Sequence, residues 1–139
     1  MIYTGEAIKK LLPQRDPVMM VDALQQPEGN EWHTTLLVRE NNFFLEPDRY
    51  MAEPGLLEHI AQSANAVVGY QRLEKGLPVA IVQIVEVKKF HSYRRPRIGE
   101  LLNTVLTVEA QTPDSITLSA SVHVGQEVVA DTQLKMTIA

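Results

Sequence analysis

A chain of 139 residues with 45% hydrophobic and 22% charged residues has the size and composition of one globular domain, and we expect a single domain over residues 1–139. The net charge of −4 argues against nucleic-acid binding, and the absence of cysteine excludes disulfides, thiolate nucleophiles and cysteine-bound zinc. No apolar run is long enough to span a bilayer and the first residues lack a secretory pattern, so we expect a cytoplasmic protein without a membrane segment.

The N-terminal forty residues predict a short helix followed by a β-hairpin. Residues 6–12 can form the helix, which Pro13 ends. Residues 17–24 are mostly apolar and predict a strand, because a proline at the start of a strand does not interrupt the ladder. Residues 27–30 have turn composition, and residues 32–38 predict the partner strand.

Residues 41–50 have no sustained period and predict a loop that leads into the next element. Two interpretations of this loop remain open. An ordered loop of this length is often functional, and it can equally be a packed connection anchored by Phe43 and Phe44.

Residues 54–75 predict a long buried helix. Apolar residues recur at the spacing of one helical face, and no charged residue occurs between His59 and Arg72. Pro54 suits the first turn and Gly76 follows the last. The helix is roughly 30 Å long at ~1.5 Å per residue. Small residues on its other face allow backbone to approach closely; they are Ser63, Asn65, Ala66 and Gly69.

The remainder of the chain predicts four strands, at residues 79–90, 101–110, 116–124 and 128–138. The first is apolar on both faces in its first half, and the last two alternate as a half-buried antiparallel meander. A hairpin, a long helix and then consecutive strands indicate an α+β fold with the helix on one face of a curved antiparallel sheet. Because the edges of a small sheet need cover, we expect a dimer.

Three stretches of the chain, in the same order as in the family, resemble the hot-dog-fold 3-hydroxyacyl-acyl-carrier-protein dehydratases. Residues 8–22, IKKLLPQRDPVMMVD, resemble the opening of that family. Residues 57–62, LEHIAQ, resemble the E-x-x-A-Q motif at the start of its central helix. Residues 90–100, FHSYRRPRIGE, resemble its F-R-x-P strand and turn. Together the three are spread along most of the chain, from residue 8 to residue 100, in the order that the family has.

The resemblance implies a hot-dog fold, in which a curved antiparallel sheet wraps a long central helix. It also implies a dimer with a continuous sheet, no cofactor or metal, and thioester substrates whose pantetheine arm enters a tunnel at the dimer interface. Phe43, Phe44 and Gln62 are then expected to line that tunnel.

In the resembled family a histidine removes the C2 proton, and an acidic residue of the other subunit handles the departing 3-hydroxyl group. A backbone N–H at the helix start polarises the thioester carbonyl. The resemblance places the acid at Glu58 and the N–H at Gly55 or Leu56. Alternatively, Glu58 is a first-turn carboxylate that only complements the helix dipole.

The histidine of that family is missing here. After Phe43 and Phe44 the chain continues Leu-Glu-Pro, so Pro47 takes its place in a loop about three residues shorter. His91 is the best remaining candidate for a base. His33 and His123 are predicted to be structural or exposed, and His59 adjoins Glu58 but points ~100° around the helix from it. No metal site is expected from the four histidines.

Five of the thirteen basic residues lie within ten positions of an otherwise acidic chain: Lys88, Lys89, Arg94, Arg95 and Arg97. The cluster is either a solvated strand end or a docking surface for the acidic surface and phosphate of an acyl carrier protein or of coenzyme A.

Three functions therefore remain open. The first is dehydration of a 3-hydroxyacyl thioester to the 2-enoyl thioester in fatty-acid or polyketide-type synthesis. The second is acyl thioester hydrolysis, with Glu58 activating water or attacking the thioester. The third is a non-catalytic or half-catalytic subunit, which pairs as a heterodimer with a dehydratase that carries the histidine.

Overall fold

The computed structural model describes residues 2–25 and 27–139. The first strands are β1 (Tyr3–Thr4), β2 (Ala23–Leu24) and β3 (Glu31–Leu37), with a 3-10 helix at Gly5–Lys10. The helix α1 covers Glu53–Glu74. Four long strands follow: β4 (Val82–Ser92), β5 (Leu101–Thr112), β6 (Ser115–Val124) and β7 (Glu127–Ile138).

The seven strands form one antiparallel sheet in the order β1-β2-β3-β5-β6-β7-β4. Inward-facing positions of β5, β6 and β7 alternate with outward-facing ones and pack on α1, so the predicted α+β arrangement is confirmed. The chain does not place β4 next to β5. It crosses to the far side of the meander, where β4 pairs with β7 and leaves its other edge open.

The buried polar side chains of Ser63 and Asn65 attach the apolar helix α1 to two different strands. Ser63 bonds Thr34 of β3 with 2.8 Å between the hydroxyl oxygens. The amide of Asn65 bonds the Ala80 carbonyl at 3.0 Å and the Val82 N–H at 3.2 Å, which fixes the start of β4. Since these groups are fully or almost fully buried, each bond satisfies atoms that water cannot reach.

The predicted close approach of backbone to α1 occurs at Gly69. A Cβ atom built there would lie 2.2 Å from the carbonyl oxygen of Leu11, which is backbone and cannot rotate away. Gly69 therefore sets how closely the segment after the 3-10 helix packs on α1.

We expect Gly69→Ala to destabilise the fold by about 2 to 3 kcal/mol, because the new methyl group forces backbone apart. Urea unfolding of the purified chain measures this. The sign of the change in the free energy of unfolding is diagnostic, because a glycine-to-alanine substitution in an unobstructed helix stabilises the fold by up to about 1 kcal/mol. An unchanged or increased free energy of unfolding would contradict the close contact.

The hairpin at the N-terminal end is shorter than predicted. Only Ala23 and Leu24 of the predicted strand join the ladder, opposite Thr35 and Thr34. The preceding backbone of residues 18–20 is bonded instead by side chains of α1, which satisfy the groups that a ladder would use. The short strand β1 was not predicted, because two residues carry no period.

The edge strand β4 is exposed on both faces. Ile84 lies opposite Met136 and Val87 lies opposite Leu134, and both partners are buried on the inner side of the sheet. Ile84 is nevertheless 40% exposed and Val87 is 39% exposed. Val85, in a bulge, is 58% exposed. A long apolar edge strand of this kind pairs readily with another strand.

Candidate active site

Glu58 lies near the start of α1, and its carboxylate is fixed through one oxygen. The Oε1 atom accepts a hydrogen bond of 2.8 Å from the amide nitrogen of Gln62, one turn further along the helix. Glu58 is half-buried, whereas Gln62 is fully buried. The other carboxylate oxygen has no hydrogen-bond partner among the described residues, so it can bind another molecule.

Gln62, predicted to line a substrate tunnel, uses its amide for protein contacts. Besides Glu58, it donates to the Val18 carbonyl at 2.7 Å and accepts from the Met20 N–H at 2.6 Å. Sequence reasoning placed Gln62 near Glu58 through the motif but gave no indication of these bonds, because their partners lie more than forty positions away.

The start of α1 packs closely on the preceding loop. Gly55 is buried, and a Cβ atom there would lie 2.8 Å from Cβ of Phe44. The Gly55 N–H donates to the Ala52 carbonyl at 2.9 Å. Of the two residues predicted to offer an oxyanion donor, Gly55 is thus already bonded, and Leu56, the fourth residue of α1, has the same Ala52 carbonyl as its i to i−4 acceptor.

The loop before α1 closes on itself where the resembled family has its histidine. Pro47 is exposed in a tight turn, in which the Arg49 N–H donates to the Glu46 carbonyl at 2.8 Å. Arg49 has a φ of 71°, a left-handed conformation that is uncommon outside glycine. Leu45 and Met51 pair across this small hairpin. No base is therefore presented at position 47.

The two phenylalanines of this loop have different environments. Phe44 is half-buried against the core, and its ring meets that of Phe43 edge-on with centroids 5.2 Å apart. Phe43 is 58% exposed. Packing thus accounts for Phe44, whereas Phe43 presents an apolar surface to the exterior.

His59 is completely buried and both of its ring nitrogens are bonded. Nδ1 lies 2.6 Å from the Met20 carbonyl oxygen, and Nε2 lies 2.7 Å from the Thr104 hydroxyl on β5. Burial lowers the pKa of His59 from 6.5 to about 4, against the opposing effects of the Met20 carbonyl and Asp22. His59 is therefore neutral at physiological pH and has no free nitrogen to act as a base.

This environment predicts a pH-dependent stability. The unfolded chain binds a proton at His59 near pH 6.5, whereas the folded chain does so only near pH 4, so stability is full above pH 6.5 and falls as the pH drops to about 4. The loss is about 3 kcal/mol. Urea unfolding from pH 7 to pH 4 of the wild type and of His59→Gln measures it, and parallel curves for the two proteins would contradict it.

His91, the candidate for a base, lies on the outer face of the sheet. Its Nδ1 donates to Asp131 at 2.9 Å, and the Tyr93 hydroxyl donates to the other oxygen of the same carboxylate, also at 2.9 Å. The Asp131 carboxylate raises the pKa of Tyr93. The sheet lies between the His91 side chain and α1. Within a single chain, His91 and Glu58 are therefore on opposite sides of the sheet.

The basic cluster is partly neutralised by carboxylates. Arg94 makes two bonds of 2.8 Å to Glu100 and further bonds to Glu127, which raise the pKa of Arg94. Arg95 pairs with Glu46 and Asp48, and its guanidinium lowers the pKa of Asp48.

The lysines and Arg97 differ from those two arginines. Lys88 lies 3.6 Å from Glu86. Among the described residues, Lys89 and Arg97 have no carboxylate partner, and both are exposed. Of the five predicted docking residues, these two make no ion pair with a carboxylate among the described residues, although the Arg97 charge helps Arg94 to lower the pKa of Glu100.

Three clefts occur elsewhere on the described surface. One of about 390 Å³ lies on the outer sheet face beside His91 and Lys89. A second of about 530 Å³ lies between the 3-10 helix and Arg39. The third, about 870 Å³, lies at the far end of α1 beside Trp32 and Tyr70. Glu58 lines none of these three clefts in the part of the chain that the structure describes.

Residues 2–25 and 27–139 include neither a metal-binding cluster nor a membrane-spanning helix. No group of three or more histidine, aspartate or glutamate side chains is close enough to hold a metal ion. No described helix is both long and apolar enough to cross a membrane.

Comparison with known proteins assigns the chain to a family. The model of the ApeP-like family, described as ApeP dehydratase, matches residues 6–138. The chain belongs to the ApeP-like dehydratase family. No curated protein sequence matches it significantly.

Solved structures confirm the hot-dog fold of this ApeP-like chain. It is similar to the dehydratase heterocomplex ApeI:P from Xenorhabdus doucetiae, with a TM-score of 0.88, 15% identity and coverage of 94% of this chain and 89% of that one. The PaaI protein from the phenylacetic acid degradation operon of E. coli has a TM-score of 0.63, 15% identity and coverage of 82% and 80%. A hypothetical thioesterase with coenzyme A from Streptococcus pneumoniae has a TM-score of 0.64, 9% identity and coverage of 84% of each chain.

Proposed function

We propose that the chain supplies the acid of a dehydratase site for 3-hydroxyacyl thioesters, and that a second hot-dog subunit supplies the histidine. The observation that carries this proposal is the carboxylate of Glu58, held through one oxygen by Gln62 in a chain that has Pro47 in place of the base. An acid without its base is half of a dehydratase site.

In the proposed reaction the partner's histidine removes the C2 proton, and negative charge develops on the thioester carbonyl oxygen. Glu58 donates a proton to the 3-hydroxyl group, the C3–O bond breaks, and water leaves as the C2=C3 double bond forms. The carbonyl oxygen is stabilised by the start of α1, where the first N–H groups lack intrahelical acceptors. Gly55 and Leu56 are the candidates for this role, and both N–H groups share the Ala52 carbonyl in the chain as it stands.

The exposed edge of β4 supports a paired assembly. Its apolar residues Ile84, Val85 and Val87 are exposed on a strand with one unpaired edge, and a second hot-dog sheet can cover them by extending the strand order. The solved ApeI:P assembly is a heterocomplex of this fold. We infer that the active form is a heterodimer. A homodimer would contain two copies of Glu58 as acids and no histidine at position 47 to serve as the base.

The test is reconstitution. The chain is purified alone and after co-expression with a hot-dog dehydratase that carries the histidine, and each preparation receives a 3-hydroxyacyl carrier-protein thioester. We expect enoyl thioester absorbance to appear only with the complex. A stable homodimer that exchanges with no such partner and dehydrates the substrate alone would overturn the heterodimer proposal.

We also propose that Lys89 and Arg97 dock the carrier, because they are the cluster residues without carboxylate partners. Replacing both with alanine is expected to raise KM for the carrier-protein thioester by about two- to fivefold per charge and to reduce its salt dependence. Steady-state kinetics at two ionic strengths measure this. Lys135→Ala, which removes an exposed lysine outside the cluster, is the control; an equal effect of this variant would leave no role for the cluster.

Acyl thioester hydrolysis is the second candidate, since hot-dog relatives include a hypothetical thioesterase solved with coenzyme A. Glu58 would then activate water or attack the thioester, with the start of α1 holding the oxyanion. Thiol release from acyl-coenzyme A that disappears in Glu58→Ala would support it. No thiol release with short, long and aryl acyl groups would remove it.

A further inference from the structure

A continuous set of buried hydrogen bonds leads from the sheet to the carboxylate of Glu58. It starts at the Thr104 hydroxyl on β5, passes through His59 to the Met20 carbonyl, and returns from the Met20 N–H to Gln62. Gln62 then bonds Glu58 at 2.8 Å. Thr104, His59, Met20 and Gln62 are each at most 1% exposed.

The chemistry of the partners fixes the orientation of the Gln62 amide. The Met20 N–H can only donate, so Oε1 of Gln62 must face it, and the NH2 group must face the Val18 carbonyl. The second hydrogen of that NH2 group is then directed at Glu58. Gln62 has no other orientation that satisfies all three partners.

The tautomer of His59 is fixed by the same reasoning. The Met20 carbonyl only accepts, so Nδ1 of His59 carries the hydrogen and Nε2 accepts from the Thr104 hydroxyl. The imidazole is thereby held from both sides, and it holds the Met20 peptide in the position that Gln62 requires.

We propose that His59 and Gln62 are positioning residues for Glu58. His59 fixes the Met20 peptide, and the Met20 N–H in turn fixes the amide of Gln62. Gln62 then holds one carboxylate oxygen of Glu58 away from the substrate, which leaves the other oxygen directed toward it. The inference rests on the proposed function of Glu58 as the acid. The second N–H of the buried Gln62 amide also needs an acceptor, and the acceptor present is a half-exposed carboxylate rather than another buried backbone carbonyl.

The test compares His59→Leu with His59→Asn in the reconstituted complex. Asparagine can still donate to the Met20 carbonyl from the place of Nδ1, whereas leucine cannot. We expect His59→Leu to lower kcat by about 10- to 100-fold with KM within twofold of wild type, because a misdirected acid affects the reaction more than substrate binding. His59→Asn should recover most of the loss.

Ser63→Ala is the matched control. It removes another buried hydrogen bond between α1 and the sheet, to Thr34, that has no connection to Glu58. We expect it to lower the free energy of unfolding without changing kcat. If His59→Leu and Ser63→Ala change kcat equally, or if His59→Asn does not recover activity, the positioning role is overturned.

The NMR chemical shifts of the Gln62 side-chain amide protons in the isolated chain separate this inference from the proposed function. Loss of the Met20 contact should shift the amide proton that donates to Glu58 in His59→Leu, while Ser63→Ala leaves it in place. An inactive wild-type complex would overturn the dehydratase proposal. An unshifted Gln62 amide proton in His59→Leu would overturn the link from His59 to Glu58.

Discussion

Glu58→Gln is expected to lower kcat of the reconstituted complex by about 10³-fold, because positioned general acids contribute on the order of 10²- to 10⁴-fold. The substitution keeps the size of the side chain and a carbonyl oxygen that can accept from Gln62, which holds the wild-type carboxylate at 2.8 Å. Only the transferable proton is lost. Steady-state dehydration of a 3-hydroxyacyl thioester measures the effect.

Glu53→Gln is the matched control for this experiment. Glu53 is an exposed carboxylate at the first residue of the same helix, so its replacement removes the same charge near the helix dipole. If both variants lose activity equally, Glu58 only complements the dipole. If neither variant loses activity, the chain does not supply the acid.

Val87→Lys is expected to weaken association with the partner subunit by at least about 100-fold while the isolated chain remains folded. Val87 lies on the inner side of the edge strand and is 39% exposed in the single chain, so a lysine can extend into water there. In an assembly that covers this strand, the same charge would be buried without a partner, which costs several kcal/mol.

Analytical ultracentrifugation of the mixed subunits measures the Kd, and circular dichroism checks the fold of the variant. Thr137→Lys is the control, because Thr137 is an exposed position of β7, a strand that is paired on both sides. Unchanged association of Val87→Lys would place the partner on another surface.

The sequence was informative where hydrophobic periodicity decides the structure. The helix α1 was predicted as residues 54–75 and observed at Glu53–Glu74, because helix-spaced apolar residues between Pro54 and Gly76 leave little freedom. The position of β4 beyond β7 could not be predicted, because its pattern is compatible with several neighbours. Length and alternation specify that a strand forms, and the connection between strands decides where it pairs.

The candidate site was predictable only in part. The E-x-x-A-Q motif located Glu58 and Gln62, and comparison with the resembled family showed that Pro47 stands at the position of the missing histidine. The bonds of His59 to Met20 and Thr104 could not be predicted, since their partners lie 39 and 45 positions away. A histidine followed by an uncharged stretch that ends only at Arg72 indicates burial, but only the folded chain identifies the groups that satisfy it.

The tight turn at Pro47 affects how this chain can evolve. A histidine introduced at position 47 would occupy an exposed corner whose neighbours Glu46 and Asp48 are both held by Arg95. Recovering the base therefore requires a longer loop and a new partner for Arg95 as well as the histidine. We expect that no single substitution makes the chain self-sufficient, so the genes for the two subunits of such a pair should be retained or lost together.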